Sequence, residues 1–255
     1  MVEGLAVFRD RFRGLDDCYV LIGGTACDLW MGERALDFRA TKDLDMVLVV
    51  EALRPEFFRV FWQFVKDAGY EGFGRGQAPR NFYRFKKPAR AGFPWMIELF
   101  SRRALDLPAD VHLSPVPAGE DLSSLSAILL DGDYYSLVLG SRRVVDGIST
   151  VPAGCLIPLK ARAWLDLTAR KAAGDASVSE SDIKKHRNDV FRLLVTLAPA
   201  DRVQVPEAVG THLRQFASRF PADAADWRAI GQAVVDLPDP PALLALFSGV
   251  FSLGA

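Results

Sequence analysis

The stretch Tyr19-Val-Leu-Ile-Gly-Gly-Thr25, followed by Asp43-Leu-Asp-Met-Val-Leu-Val-Val50, decides how the rest of the chain is read. An apolar run that stops at two glycines and a hydroxyl residue reads as a strand turning into a helix, here over Thr25 to Leu36. Gly23 and Gly24 would let the backbone approach a phosphate closely. Thr25 could donate a hydrogen bond to it, and amides at a helix N-terminus favour an anion there. The β-branched content of 43–50 predicts a second strand, buried on both faces. Asp43 and Asp45 alternate with Leu44, so both carboxylates leave one face, about 7 Å apart along the strand. Like charges on an otherwise apolar strand are costly unless a cation neutralises them. Oxygen-only ligation, completed by water and phosphate, suits Mg²⁺ (or Mn²⁺). Asp-x-Asp by itself also fits a strand end with two solvated aspartates.

Working outward, Leu5 to Leu15 and residues 54 to 68 read as helices. Strands are predicted at 80 to 86, 94 to 100, 126 to 130, 134 to 139 and 143 to 147. Within Pro94-Trp-Met-Ile-Glu-Leu-Phe100, Glu98 shares a face with Met96 and Phe100, an awkward place for a solvent-exposed acid. It reads either as a site carboxylate or as a satisfied strand-end acid. Asp106, Asp131 and Asp133 are weaker candidates, because loop acids need no special explanation. After Pro152 the texture becomes helical, at 156 to 172 and 180 to 197, then Ala-, Leu- and Pro-rich. A boundary near 151 therefore separates an α/β domain (1–150) from a helical domain (151–255).

Composition bounds the alternatives. The 255 residues are 50% hydrophobic and 25% charged, ordinary for a folded protein. With 31 basic against 32 acidic residues, any contact to a polyanion must come from a local patch. Three scattered cysteines without a Cys-x-x-Cys read as free thiols of a reducing compartment. Charges among the first residues (Glu3, Arg9, Asp10, Arg11, Arg13) argue against a secretory leader. The longest uncharged run, after Asp239, is shorter than the roughly 20 residues of a membrane helix. A cytoplasmic protein without a membrane partner is expected.

The order Gly-Gly-Thr, then Arg39-Ala-Thr-Lys-Asp43-Leu-Asp45, resembles the signature of the DNA polymerase beta-like nucleotidyltransferase superfamily. That superfamily places a third carboxylate on a neighbouring strand, where Glu98 fits. Two later segments, Ile157-Pro-Leu-Lys160-Ala-Arg-Ala-Trp-Leu-Asp-Leu167 and Asp182-Ile-Lys-Lys-His-Arg-Asn-Asp189, resemble the lysine and lysine–aspartate motifs of the AbiEii/MenT-like toxin group. The second departs from that pattern, since Lys185 and Asp189 are not adjacent. Lys160 falls inside an apolar helical stripe, so its ammonium needs an anionic partner unless it snorkels at the stripe's edge. Asp189 could equally be an i,i+4 partner of Lys185.

The resemblance implies an α+β fold, with a nucleotidyltransferase-like mixed sheet flanked by helices and then a C-terminal helical domain. It implies transfer of NMP from an NTP to a hydroxyl. Asp43, Asp45 and Glu98 would hold metal, and Lys160 and Asp189 would assist catalysis. Gly23, Gly24, Thr25, Arg39 and Lys160 would hold the nucleotide. By the same resemblance the acceptor is a tRNA 3′ end or another RNA, and the role that of a toxin neutralised by an antitoxin protein. Residues 72 to 97 contain no acid but carry Arg75, Arg80, Arg84, Lys86 and Lys87 among aromatics, a pattern that suits RNA and equally a basic hairpin with a buried face. The rival expectations are a small-molecule, antibiotic-type nucleotidyltransferase and a non-catalytic nucleotide-binding module. The apolar stretch Leu243 to Phe251 could cover a second chain or its own core.

Overall fold

The computed structural model describes residues 2–71, 82–101, 128–129 and 131–253. Among these, residues up to 101 together with Val138–Pro152 form one compact unit, and residues 128–137 together with 153–253 form another.

The first unit is built on a mixed sheet with strand order β3-β4-β5-β2-β1-β7-β6. The strands are β1 (Tyr19–Ile22), β2 (Asp43–Leu48), β3 (Tyr70–Glu71), β4 (Phe82–Pro88), β5 (Met96–Phe100), β6 (Arg143–Val145) and β7 (Ile148–Thr150). Strands β1 and β2 are antiparallel, β2 and β5 parallel, and β4 and β5 antiparallel. The helices of this unit are α1 (Leu5–Arg11), α2 (Gly23–Gly32) and α3 (Pro55–Ala68). Proline opens α3, where no helical N–H is lost, and Gly69 closes it at φ 66°. Helices flanking a mixed sheet give this unit the α+β architecture that was expected.

One face of the sheet is filled by aromatics. Phe8 and Phe12 of the α1 region and Phe57, Phe61 and Phe64 of α3 pack with Tyr19, Leu21, Leu44, Met46, Leu48, Phe85, Ile97 and Leu99. Phe8 stacks on Phe12 at 4.3 Å, and Phe61 meets Phe85 edge-on at 5.6 Å. Each such side chain contributes roughly 1.5–3 kcal/mol by leaving water. Since side chains alternate along a strand, residues 43, 45, 84 and 98 are left to the opposite face.

Three strand expectations change. Residues 128–129 are helical, and 134–139 lie in α4 (Gly132–Gly140). Tyr134, Tyr135, Leu137 and Val138 are buried at helical spacing, and the Asp131 carboxylate caps the first turn by accepting from the Asp133 amide at 2.8 Å. The strand expected at 143–147 is a hairpin, β6 and β7. Its turn, Asp146-Gly147, has positive φ at both positions.

The second unit is helical: α5 (Ala153–Ala172), α6 (Glu180–Leu194), α7 (Glu207–Ala217), α8 (Asp226–Ala233) and α9 (Pro240–Val250). Ser179 caps α6 and Asp239 caps α9. Trp164, Phe191, Phe216, Phe220 and Trp227 form its aromatic centre. The apolar stretch at 243–251 packs inside this unit, with Leu243, Phe247, Val250 and Phe251 buried. No helix among the described residues is long and apolar enough to cross a membrane.

Candidate active site

The glycine turn packs against the Asp-x-Asp strand and the segment that leads into it. Gly23 has φ +67°, and a Cβ placed there would lie 1.7 Å from Asp45 Oδ2, so the carboxylate rests against the bare α-carbon. A Cβ on Gly24 would lie 2.4 Å from Thr41 Oγ1. The Thr25 hydroxyl donates to the Asp43 carbonyl at 2.6 Å. The proton that the sequence offered to a phosphate is thus spent on fixing the start of α2 to the start of β2.

Register then brings the acids together. Asp45 pairs with Ile22 on β1 and with Glu98 on β5, and Asp43 pairs with Met96. Glu98 in turn pairs with Arg84 on β4. Across β4, β5 and β2, Arg84, Glu98 and Asp45 form a row on the face opposite the aromatic core, with Asp43 two positions along. Asp45 and Glu98 are buried, at 8% and 7% exposure. Arg84 Nε and Nη2 both reach Glu98 Oε1, each at 2.6 Å. Two nitrogens of the fork thus meet one carboxylate oxygen.

The donor set on this face is carboxylate oxygen, which suits Mg²⁺ or Mn²⁺. Among the described residues, no three acids, histidines or cysteines converge closely enough to hold an ion as they stand. Glu98 is instead engaged by the Arg84 guanidinium of the neighbouring strand.

Of the basic stretch, Arg84 belongs to this carboxylate row, a placement set by the strand register, which the sequence alone did not signal. Lys86 and Lys87 lie on β4, and Lys86 is exposed. Arg75 and Arg80 lie outside the described residues, as does Asp106. The aromatics divide as well: Phe85 is buried, Phe93 packs on Phe64 at 5.0 Å, and Trp95 is 48% exposed. Arg39 is half-buried, with its guanidinium 5.0 Å from the Phe38 ring centroid.

In the helical unit, Lys160 and Asp189 come together. Lys160 Nζ lies 3.3 Å from Asp189 Oδ2, and Arg192 Nη1 lies 2.8 Å from Asp189 Oδ1. Arg192 also donates to the Ala233 carbonyl. Both Lys160 and Asp189 are buried, so the anion that Lys160 required is a residue of the neighbouring helix. Lys185 instead reaches Asp182, which removes the i,i+4 reading of Asp189.

No protein-family model and no curated protein matches the chain. Among solved structures it is similar to the solution structure of the antibiotic-resistance factor ANT(2″)-Ia, with a TM-score of 0.34 and 15% identity, over 85% of this chain and 89% of that one.

Outside this face, two ionisable clusters stand out that the sequence did not signal. Arg54 contacts both the Asp17 carboxylate, at 2.6 Å, and the Cys18 sulfur, at 3.1 Å. The hydrogen bond from Arg54 holds Asp17 below its ordinary range, and burial pushes the Cys18 thiol up to about 11. In the helical unit the Tyr134 hydroxyl lies 3.0 Å from His212 Nδ1. Burial, followed by the charge of Arg162, lowers the His212 pKa.

Proposed function

We propose that the chain is a metal-dependent nucleotidyltransferase. The observation that carries this reading is the Asp43–Asp45–Glu98 row, held against a glycine turn whose Gly23 α-carbon abuts the Asp45 carboxylate. Residues 1–150 would form the catalytic domain and 151–255 a helical domain that carries Lys160 and Asp189. Asp43, Asp45 and Glu98 would hold Mg²⁺ or Mn²⁺, which when bound supplies charge neutralisation at the phosphate oxygens and activation of the attacking hydroxyl. Gly23, Gly24 and the first amides of α2 cradle the triphosphate, with Arg39 adding positive charge. Thr25 serves by fixing the turn. Asp189 orients Lys160.

In the reaction, the acceptor oxygen forms a bond to the α-phosphorus. The bond from that phosphorus to the α–β bridging oxygen breaks, and pyrophosphate leaves with the electron pair. The hydroxyl proton is taken by the Glu98 carboxylate and passed to water. The acceptor in this reading is RNA, a tRNA 3′ end, delivered with the help of Lys86 and Lys87 and the basic residues Arg75 and Arg80. The biological role is that of a toxin held in check by an antitoxin. Three free, buried thiols support a reducing, cytoplasmic setting.

The test is incubation with Mg²⁺, total RNA and each labelled triphosphate in turn, beside the Asp43→Asn/Asp45→Asn protein. Label in tRNA-sized bands, lost in the variant, supports the reading. Pyrophosphate release only with small hydroxyl acceptors moves the acceptor to a small molecule. Nucleotide binding without release, in both proteins, leaves a binding module.

A further inference from the structure

Glu98 stands between two opposite neighbours. On β4 its register partner is Arg84, and on β2 it is Asp45. Adjacent strands lie about 4.8 Å apart, so the carboxylate can lean to either side without a backbone shift. Leaning toward Asp45 sets two carboxylates together in a buried place, which is favourable only with a cation between them. Leaning toward Arg84 relieves that repulsion and gains a charge-assisted fork, and this is the arrangement observed, with both contacts on Oε1. Arg84 is itself mostly buried, at 22% side-chain exposure against 9% for Glu98, so the pair is shielded from solvent.

We propose that Arg84 is the resident charge partner that Glu98 exchanges for a divalent cation, and that it thereby sets the cation affinity of the carboxylate row. This inference rests on the nucleotidyl-transfer reading of that row, and it gives Arg84 a role different from RNA contact. Arg84 is a positioning residue: it acts through Glu98. Its presence keeps the row intact without metal and weakens the hold on metal by the free energy of the pair. A guanidinium and a divalent ion cannot share the carboxylate closely without mutual repulsion, so filling the row displaces the arginine.

The test is Mn²⁺ titration of the nucleotide-free protein, followed by the electron paramagnetic resonance signal of the free ion. Wild type, Arg84→Gln, Glu98→Gln, the double variant and Asp43→Asn/Asp45→Asn are compared, each checked for folding by circular dichroism. Arg84→Gln is expected to bind Mn²⁺ about three- to tenfold more tightly, the scale of a shielded ion pair. In the Glu98→Gln background the same substitution is expected to give no gain. If Arg84→Gln does not fold, Arg84→Lys is read in its place, with a smaller gain expected because an ammonium cannot make the fork. Unchanged or weaker binding in a folded Arg84 variant overturns the proposal. So does a gain that persists without Glu98, since that would be a general field effect. Equal Mn²⁺ binding by wild type and the Asp43/Asp45 variant would instead overturn the metal reading of the row itself, and this outcome is distinct from either.

Discussion

The α-carbon of Gly23 and the carboxylate of Asp45 occupy adjoining space, such that a methyl group on the first would fall 1.7 Å from Oδ2 of the second. Gly23→Ala must therefore displace the carboxylate, and at φ +67° it also carries about 1–2 kcal/mol of backbone strain. The expected outcome is a lower melting temperature together with loss of transfer as complete as in Asp45→Asn. Gly24→Ala meets the Thr41 side chain, Oγ1 at 2.4 Å and Cβ at 3.1 Å, without a positive φ. Its loss should be milder and partly restored by adding Thr41→Ala, which removes the nearer atom.

Mn²⁺ should stabilise the folded protein through the acid row. At an ion concentration a hundred times its dissociation constant, the gain is about 2.7 kcal/mol. Thermal unfolding with and without Mn²⁺ should show a rise for the wild type, reversed by EDTA, and none for Asp43→Asn/Asp45→Asn.

The Lys160–Asp189–Arg192 cluster predicts an asymmetry. Asp189→Ala strands two buried or half-buried cations, and its expected cost is about 3–5 kcal/mol. Lys160→Met leaves Asp189 still paired with Arg192 and should cost clearly less. Urea unfolding of both variants measures the order, and the reverse order would mean that the cluster does not organise the α5–α6 contact.

His212 gives a pH dependence. Burial disfavours its charged form, so its pKa when folded lies below the ordinary 6.5 of the unfolded chain. The unfolded state then binds more protons in the interval between the two values, and stability rises with pH there. Stability from this group is whole above 6.5 and is lost as pH falls below it. Melting temperatures from pH 5 to 8 should show this limb, reduced in His212→Gln, whose side chain can still accept from Tyr134.

All three thiols are buried, and Cys18 is pushed up to about 11. Native protein at pH 8 should therefore react with almost no thiol reagent within minutes, and with three equivalents after denaturation.

The Asp43–Asp45 strand, its burial, the α3 helix and the helical second half were legible because each carries a strong local pattern. Tyr134–Leu139 was not, because a short apolar run has no periodicity that separates strand from helix, and Asp131, read as a loop acid, caps the helix. The partnership of Arg84 with Glu98 depends on strand order and register, which no single segment encodes. The Lys160–Asp189 pair was half legible: the need for an anion shows in the apolar stripe, while the anion's identity requires two helices to meet.

Fastening Gly23, Gly24 and Thr25 to Thr41, Asp43 and Asp45 also closes residues 26–40 into a stapled loop. Chain added within such a loop costs only about 0.6 kcal/mol per doubling of its length. The exposed run from Gly32 to Asp37 is therefore the place where this protein can grow new sequence without rebuilding its candidate site.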